Sequence, residues 1–161
     1  MAGDELVDVV DTDDSVVGQV TRAEMRRIGA RHRATYVIVR TTDGGVVAHK
    51  RADWKDICPG WWDLCFGGVV DAGEDWDRAA ARELAEEAGI DGELRHLGTD
   101  RYDAPGVGIN CGVYDVVHDG PYPCPDGEVV ETRIVHPDEL DEFLATHDVC
   151  PDSLAVVVPR L

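Results

Sequence analysis

Three glutamates, Glu83, Glu86 and Glu87, are spaced by three and four residues within an alanine-rich stretch. Alanine and leucine favour a helix, and on a helix this spacing places the three carboxylates on one face. Like charges at these spacings repel by a few tenths of a kcal/mol per pair, so a merely solvated face usually intersperses Lys or Arg. Converging carboxylate oxygens are the ligands of hard divalent cations. The spacing therefore predicts a site for Mg²⁺, or for Mn²⁺, against the alternative of an acidic outer helix face.

The stretch that contains these glutamates, residues 68–90, reads Gly-x5-Glu-x7-Arg-Glu-Leu-x-Glu-Glu-x-Gly-Ile. This pattern is similar to the Nudix box, which forms a loop, a helix and a loop in the family that carries it. The resemblance implies a Nudix-like α/β/α sandwich with a mixed β-sheet, in the α/β (α+β) class. It also implies a magnesium-dependent hydrolase in which water attacks a diphosphate linkage of a nucleoside diphosphate derivative or a similar small diphosphate.

The resemblance assigns roles to individual residues of the box. It makes the three glutamates and Arg82 catalytic, with Glu74 orienting the Arg82 guanidinium so that it braces the helix. The metal ligands that it implies are Gly68, through its carbonyl oxygen, Glu83, Glu86 and Glu87.

Flanking segments extend the resemblance over most of residues 5–155, to the Nudix subgroup related to isopentenyl-diphosphate isomerase; they are residues 31–34, 50–51, 59–63, 67–70, 128–129 and 150–154. That isomerase uses a cysteine and a glutamate to move a proton on an isoprenoid carbon. Its cysteine should fall at Gly67 and a metal-binding histidine at Val69, whereas His32 matches another of its metal-binding histidines. An isomerase-like enzyme is therefore the alternative, with Cys65 as the thiol that would replace the missing one.

A hydrolase of this kind needs cations to hold phosphate and a base to take a proton from water. Residues 22–55 contain nine of the fifteen basic residues, and Arg51 and Lys55 are the candidate substrate-binding residues. Trp54, Trp61 and Trp62 either stack on a substrate base or simply pack. The candidates for the general base are Glu83, Glu87, Glu128 and Glu131.

Composition narrows the partners and the compartment. A net charge of −18 argues against a bound nucleic acid polymer, because phosphate contacts need Lys and Arg. No apolar run approaches a membrane span, and the first residues lack a signal-peptide pattern. The five cysteines include no Cys-x-x-Cys pair, which indicates reduced thiols in a cytoplasmic protein. The expected partner is a small-molecule diphosphate, and a homodimer is the open alternative to a monomer.

Strands and helices alternate irregularly, with hairpins among the strands, which favours a mixed sheet over a doubly wound parallel one. A capping box at Thr21 and Glu24 predicts a short helix that stops at Gly29. The box predicts a helix over 75–88 that packs on the sheet through Ala81, Leu84, Ala85 and Ala88. Further helices are expected from Pro137 and, more ambiguously, from Pro151. The predicted strands are 6–10, 16–20, 36–40, 46–50, 61–64, 94–100, 107–117 and 129–135.

The length suits a single domain over 1–161, and the resemblance implies that it is a Nudix domain, with an N-terminal hairpin and short helix in 1–29 and the box at 68–90. A non-catalytic module that binds a nucleotide is the alternative from another class, and the complete acidic triplet favours the enzyme. Nucleoside triphosphates, nucleotide sugars, dinucleoside polyphosphates and isoprenoid diphosphates are all compatible substrates.

Overall fold

A computed structural model describes residues 3–161, so the first two residues of the predicted domain lie outside the described part. The strands are β1 (Leu6–Val10), β2 (Val16–Thr21), β3 (His32–Arg40), β4 (Val46–Arg51), β5 (Trp62–Asp63), β6 (Arg95–Ala104), β7 (Val107–Val117) and β8 (Val129–Val135). The helices are α1 (Arg22–Ile28), α2 (Trp76–Glu83) and α3 (Leu140–Thr146). A π-helical turn, Leu84–Ala88, continues α2, and Ser153–Val157 and Val158–Arg160 form helical turns near the C-terminus.

The central sheet is mixed, as the irregular alternation of elements predicts. Strands β3 and β7 are parallel, whereas β6 pairs with β7, and β5 and β8 pair with β4, in antiparallel fashion. Strands β1 and β2 form a separate two-stranded hairpin. The mixed sheet with helices on its faces confirms the predicted fold class.

Side chains of β3 alternate between two cores, one on each face of the sheet. Tyr36 and Ile38 pack with Phe143 of α3 and with the C-terminal turns. Val37 and Val39 pack on the opposite face with Ala80 and Leu84 of the box helix. Because both faces are covered, β3 has four consecutive apolar residues, Tyr36 to Val39, instead of alternating with polar ones.

The N-terminal helix forms as its capping residues predict. The Thr21 hydroxyl accepts a hydrogen bond from the Glu24 N–H at 3.2 Å, and Gly29 ends the helix in the left-handed region at φ 64°. A Cβ atom at position 29 would lie 2.7 Å from the Gly106 carbonyl oxygen, so α1 is held closely against the β6–β7 turn.

The box helix differs from its predicted packing. Asp75 caps it by accepting hydrogen bonds from the Asp77 and Arg78 N–H groups, and it ends at Gly89 with φ 72°. Leu84 and Ala88 are buried as expected, but Ala81 and Ala85 are exposed, so the prediction of their burial is wrong. The helix is rotated so that its buried side includes Glu83 and Glu87, which leaves Ala81 and Ala85 beyond the edge of the contact with the sheet.

Further boundaries differ from the prediction. Strand β3 begins at His32, four residues before the predicted start at 36, because its pairing with β7 extends to His32 and Ile109. The third helix begins at Leu140, not at Pro137, because the Glu139 N–H bonds to the His136 carbonyl and its carboxylate accepts from the His136 N–H in a preceding turn. Strand β6 continues to Ala104, since its pairing with β7 runs up to a tight turn at residues 105–106. None of the helices formed by residues 3–161 combines the length and apolar character needed to cross a bilayer.

Candidate active site

A cleft of about 590 Å³ opens between the box, α1 and the loop that follows β4. Its lining includes the residues predicted to bind the metal or the substrate and Arg82, namely Arg51, Lys55, Gly68, Arg82, Glu83, Glu86 and Glu87. The sheet brings them together, because the loop at 67–70 runs beside the start of β3 through bridges at Ala34–Val69 and Val37–Phe66. Residues distant in sequence therefore share one concave surface.

The acidic triplet spans the boundary between the core and the cleft. Glu83 and Glu87 are buried, at 8% and 6% exposure, whereas the Glu86 side chain is about half exposed at the rim. Glu87 Oε2 accepts a hydrogen bond of 3.1 Å from the Gly67 N–H. A Cβ atom at position 68 would lie 2.7 Å from the Glu83 carboxyl group, so glycine at this position leaves the space that Glu83 occupies.

Burial makes this triplet electrostatically costly. It raises the pKa of Glu87 well above the usual range, and the charges of Glu83 and Glu128 raise it further against the Gly67 N–H and Lys55. Burial also raises the pKa of Glu83, although Arg82 opposes this effect. The two buried carboxyl groups, Glu83 and Glu87, therefore have too little positive charge nearby to offset the cost of their burial in ionised form.

Arg82 joins the loop to the helix. Its Nε and Nη2 donate to the two carboxylate oxygens of Glu74 at 2.9 Å each, and its Nη1 donates to Glu83 at 2.7 Å and to Glu86 at 3.3 Å. The hydrogen bond to Glu74 is the largest of the effects that raise the pKa of Arg82 above its usual value. This guanidinium fixes the helix relative to the loop while it contacts two members of the triplet.

The oxygen atoms of this site are of the type that a hard divalent cation prefers as ligands. They do not yet converge on one point. Among residues 3–161, no three Asp, Glu, His or Cys side chains are already placed to hold a cation together. Arg82 binds an oxygen of Glu83 and one of Glu86, and the Gly68 carbonyl already accepts from the Thr35 N–H at 2.9 Å. The residues fit a cation because buried carboxylates with raised pKa values gain most from one.

The predicted substrate-binding cations have partners within the protein. Lys55 Nζ donates to the Glu128 carboxylate, which holds the pKa of Glu128 below its usual value despite burial. Arg51 Nε donates to the Ile57 carbonyl at 3.0 Å, and its Nη1 lies 3.9 Å from Asp63. Both side chains are held in fixed positions at the edge of the cleft.

The structure separates the remaining candidates. Glu128 lines the cleft, whereas Glu131 is exposed on β8 and does not. None of Trp54, Trp61 and Trp62 lines the cleft, and Trp62 packs edge-on against Phe143 in the core. Trp62 therefore packs, whereas Trp54 and Trp61 are exposed outside the cleft.

Sequence reasoning did not single out three further residues of the cleft. Arg22 and Arg26 of α1 line it, and so does Asp152, which accepts a hydrogen bond of 2.9 Å from the Tyr36 hydroxyl. The concentration of basic residues in 22–55 and the capping box were the signals for the two arginines. Their helix could be predicted, but its position beside the box could not.

A family model and several known proteins match this chain over most of its length. The family model described as NUDIX domain matches residues 30–153. The chain belongs to the Nudix family. A Nudix hydrolase of Pseudomonas aeruginosa, named as uncharacterized, is 38% identical over 151 residues that cover 93% of this chain and 89% of the relative. The Nudix hydrolase YfcD of Escherichia coli, also named as uncharacterized, is 34% identical over 159 residues, covering 96% and 85%.

Solved structures show that this is the Nudix fold. The Deinococcus radiodurans protein DR0079 superposes with a TM-score of 0.80 at 24% identity, covering 97% of this chain and 98% of that one. The Nudix domain of Shewanella oneidensis NrtR, solved with ADP-ribose, gives a TM-score of 0.62 at 17% identity, covering 86% and 95%. As a Nudix hydrolase, the protein acts on phosphorus-containing acid anhydrides, which confirms the enzyme class that the box implies.

Proposed function

We propose that the protein is a divalent-cation-dependent diphosphatase that cleaves the diphosphate linkage of a small molecule by attack of water on phosphorus. The observation that carries this proposal is the position of the Glu83 and Glu87 carboxyl groups, buried in a cleft that cations also line. Such a cleft can hold a cation and an anionic phosphate side by side. An acidic helix face exposed to bulk solvent would offer neither.

The box residues divide the work between binding and support. Glu83, Glu86, Glu87 and the Gly68 carbonyl would hold Mg²⁺ or Mn²⁺, which when bound neutralises phosphate oxygens and lowers the pKa of water. Arg82 keeps the helix and the loop in register through Glu74. It also limits repulsion between Glu83 and Glu86 when no cation is present.

We assign the general base to Glu128. It lines the cleft, it lies outside the set assigned to the cation, and Lys55 keeps its carboxylate ionised. An ionised carboxylate can accept the proton that the attacking water loses. Arg51 and Lys55 border the same space and would contact the phosphate groups as the reaction proceeds.

Two contacts weigh against the isomerase alternative. A Cβ atom at Gly67, where the resemblance would place the isomerase cysteine, would lie 1.9 Å from the Thr35 carbonyl oxygen, so no side chain fits there on this backbone. The nearby Cys65 thiol donates to Asp63 at 3.4 Å, and burial raises its pKa well above the usual value. It therefore stays a protonated thiol, which suits hydrogen bonding more than proton abstraction.

We also propose that residues 1–161 act as one domain. Glu5 and α1 of the N-terminal segment line the cleft together with residues of the box, so neither part holds the whole site. A homodimer stays a prediction, and light scattering after size-exclusion chromatography checks it. The cytoplasmic location also stays a prediction.

A screen for phosphate or pyrophosphate release tests the proposal. It compares nucleoside triphosphates, nucleotide sugars, dinucleoside polyphosphates and isoprenoid diphosphates, each with Mg²⁺, with Mn²⁺ and with excess EDTA. ADP-ribose joins the panel because the NrtR Nudix domain was solved with it. We expect turnover of at least one class with metal and none in EDTA. Full activity in EDTA, or none in any class, would contradict the proposal.

A further inference from the structure

Helix α1 forms one wall of the cleft although it lies outside the part of the chain that the family model matches, which begins at residue 30. Its position is fixed by packing. Met25 is buried with Val7 and with Val69, the residue that follows Gly68 of the box. Together with the close contact at Gly29, this packing holds α1 beside the candidate metal site.

Two arginines of α1 are directed into the cleft. Arg22 and Arg26 are four residues apart, so they lie on one side of the helix, and both line the cleft with the acidic triplet. Their side chains are 24% and 31% exposed. Arg27, the next residue, is 71% exposed, pairs with Glu24 and does not line the cleft.

The acids that form ion pairs with these two arginines are exposed. Arg22 lies 3.4 Å from Glu5 and Arg26 lies 3.1 Å from Asp56, and these acids are 48% and 60% exposed. Ion pairs with such exposed partners contribute little, and the partner can be exchanged at low cost. By contrast, Lys55 is bound by Glu128 inside the cleft, and Arg82 by four acids of the box.

Two other positively charged side chains lie near Arg26. Burial lowers the pKa of its guanidinium; the neighbouring guanidinium groups of Arg22 and Arg51 lower it further, and Asp56 opposes them. Three arginines that repel one another in a partly buried wall are stabilised when an anion enters between them. The ligand that the Nudix reaction supplies to this cleft is a diphosphate.

We propose that Arg22 and Arg26 bind phosphate groups of the substrate, from the wall of the cleft that α1 forms. The phosphates would then lie between a basic wall from the N-terminal helix and an acidic wall from the box. The proposal rests on the diphosphatase function and adds the N-terminal segment to its substrate site. Arg51, at the edge of both walls, completes the basic group.

Binding of methylenediphosphonate, a diphosphate analogue that cannot be hydrolysed at its bridge, tests this by isothermal titration calorimetry with Mg²⁺. Arg22→Gln and Arg26→Gln should each weaken binding about tenfold, the loss expected for a charged hydrogen bond, and the double variant should lose more. Arg27→Gln is the matched control on the same helix and should bind as the wild type does. Arg26→Lys, which keeps the charge, should recover part of the affinity.

Two further readouts separate a phosphate contact from a structural role. The melting temperature should stay close to that of the wild type, because the partner acids of both arginines are exposed. On a hydrolysed substrate the variants should raise KM more than they lower kcat, as expected when binding is lost equally in the ground and transition states.

Unchanged affinity in the double variant would overturn the proposal. An equal loss in Arg27→Gln would also overturn it, because it would indicate only a general charge effect. Absence of analogue binding to the wild type would do the same. Hydrolysis is measured separately by phosphate release, so phosphate binding by Arg22 and Arg26 and the diphosphatase function can fail independently.

Discussion

Arg82 and Glu74 form a bidentate ion pair in which Nε and Nη2 of the arginine each donate to one carboxylate oxygen at 2.9 Å. The two residues are eight positions apart, on the helix and on the loop before it. The pair therefore determines how the box loop meets the box helix. Because the same guanidinium contacts Glu83 and Glu86, the pair also determines where the acidic triplet lies.

Replacement of Arg82 should reduce stability as well as rate. Arg82→Ala removes the bidentate ion pair and leaves Glu74 and Glu83 without the guanidinium that binds them. We therefore expect a loss of about 2 kcal/mol in the free energy of unfolding. Arg82→Lys should recover little of it, because an ammonium group cannot reproduce the fork. Urea denaturation measures both, with Arg78→Ala, on an exposed part of the same helix, as the control. Equal stability of Arg82→Ala and the wild type would contradict the bracing role.

The observed rotation of the box helix predicts opposite outcomes at two alanines. Ala80 is fully buried against the sheet, whereas Ala85 is exposed. Leucine matches alanine closely in helix propensity, so Ala80→Leu should cost about 1–3 kcal/mol by overpacking and Ala85→Leu almost nothing. Thermal unfolding of the pair checks this. A larger loss in Ala85→Leu would restore the packing predicted from the sequence.

His49 should make stability depend on pH. It is fully buried, it stacks on Phe66, and its Nδ1 has no hydrogen-bond partner. Burial lowers its pKa from 6.5 to about 3, so the unfolded chain takes up a proton below pH 6.5 that the folded protein refuses. This contribution to stability is complete above pH 6.5 and is lost as the pH falls towards 3, by about 1.4 kcal/mol per unit.

Comparison of His49→Leu with the wild type isolates this effect. The variant lacks the buried imidazole, so its stability relative to the wild type should improve by about 2 kcal/mol between pH 7.5 and pH 5. Urea titrations at the two pH values measure this. Parallel curves for His49→Leu and the wild type would refute the assignment.

Cys65→Ala should retain hydrolysis. The thiol lines the cleft, but it is buried and hydrogen-bonded to Asp63, and hydrolysis needs no carbon acid or base. We expect unchanged kcat/KM for phosphate release in the variant. Mass spectrometry of isopentenyl diphosphate incubated with the wild type should detect no allylic isomer. Formation of that isomer, and its loss in Cys65→Ala, would favour the isomerase alternative.

Local signals in the sequence were sufficient for the parts of the fold that local chemistry controls. The Thr21–Glu24 cap, Gly29 and the apolar runs of the first hairpin give their elements almost to the residue. The box spacing likewise points to one side of one helix and to a cleft. These features depend on neighbours within one or two turns, which a sequence displays directly.

Other features depend on contacts between distant segments. The burial of Glu83 and Glu87 follows from the orientation of the helix on β3. The apolar pattern predicted a different orientation, because the exposed Ala81 and Ala85 are the same type of residue as the alanines that are buried. The approach of Arg22 and Arg26 to the triplet follows from Met25 packing against Val69. Nothing in residues 22–28 alone indicates that partner.

The kcat of Glu86→Gln tests the central claim most directly. Among the three glutamates, Glu86 is the most exposed, so its replacement should leave the melting temperature unchanged and separate chemistry from folding. The measurement uses the best substrate of the screen at saturating Mg²⁺, with Glu93→Gln, an exposed acid outside the cleft, as the control. We predict a fall in kcat of about a hundredfold or more in Glu86→Gln, as expected when a group that stabilises transition-state charge is lost, and none in the control. Wild-type kcat in Glu86→Gln would contradict the account.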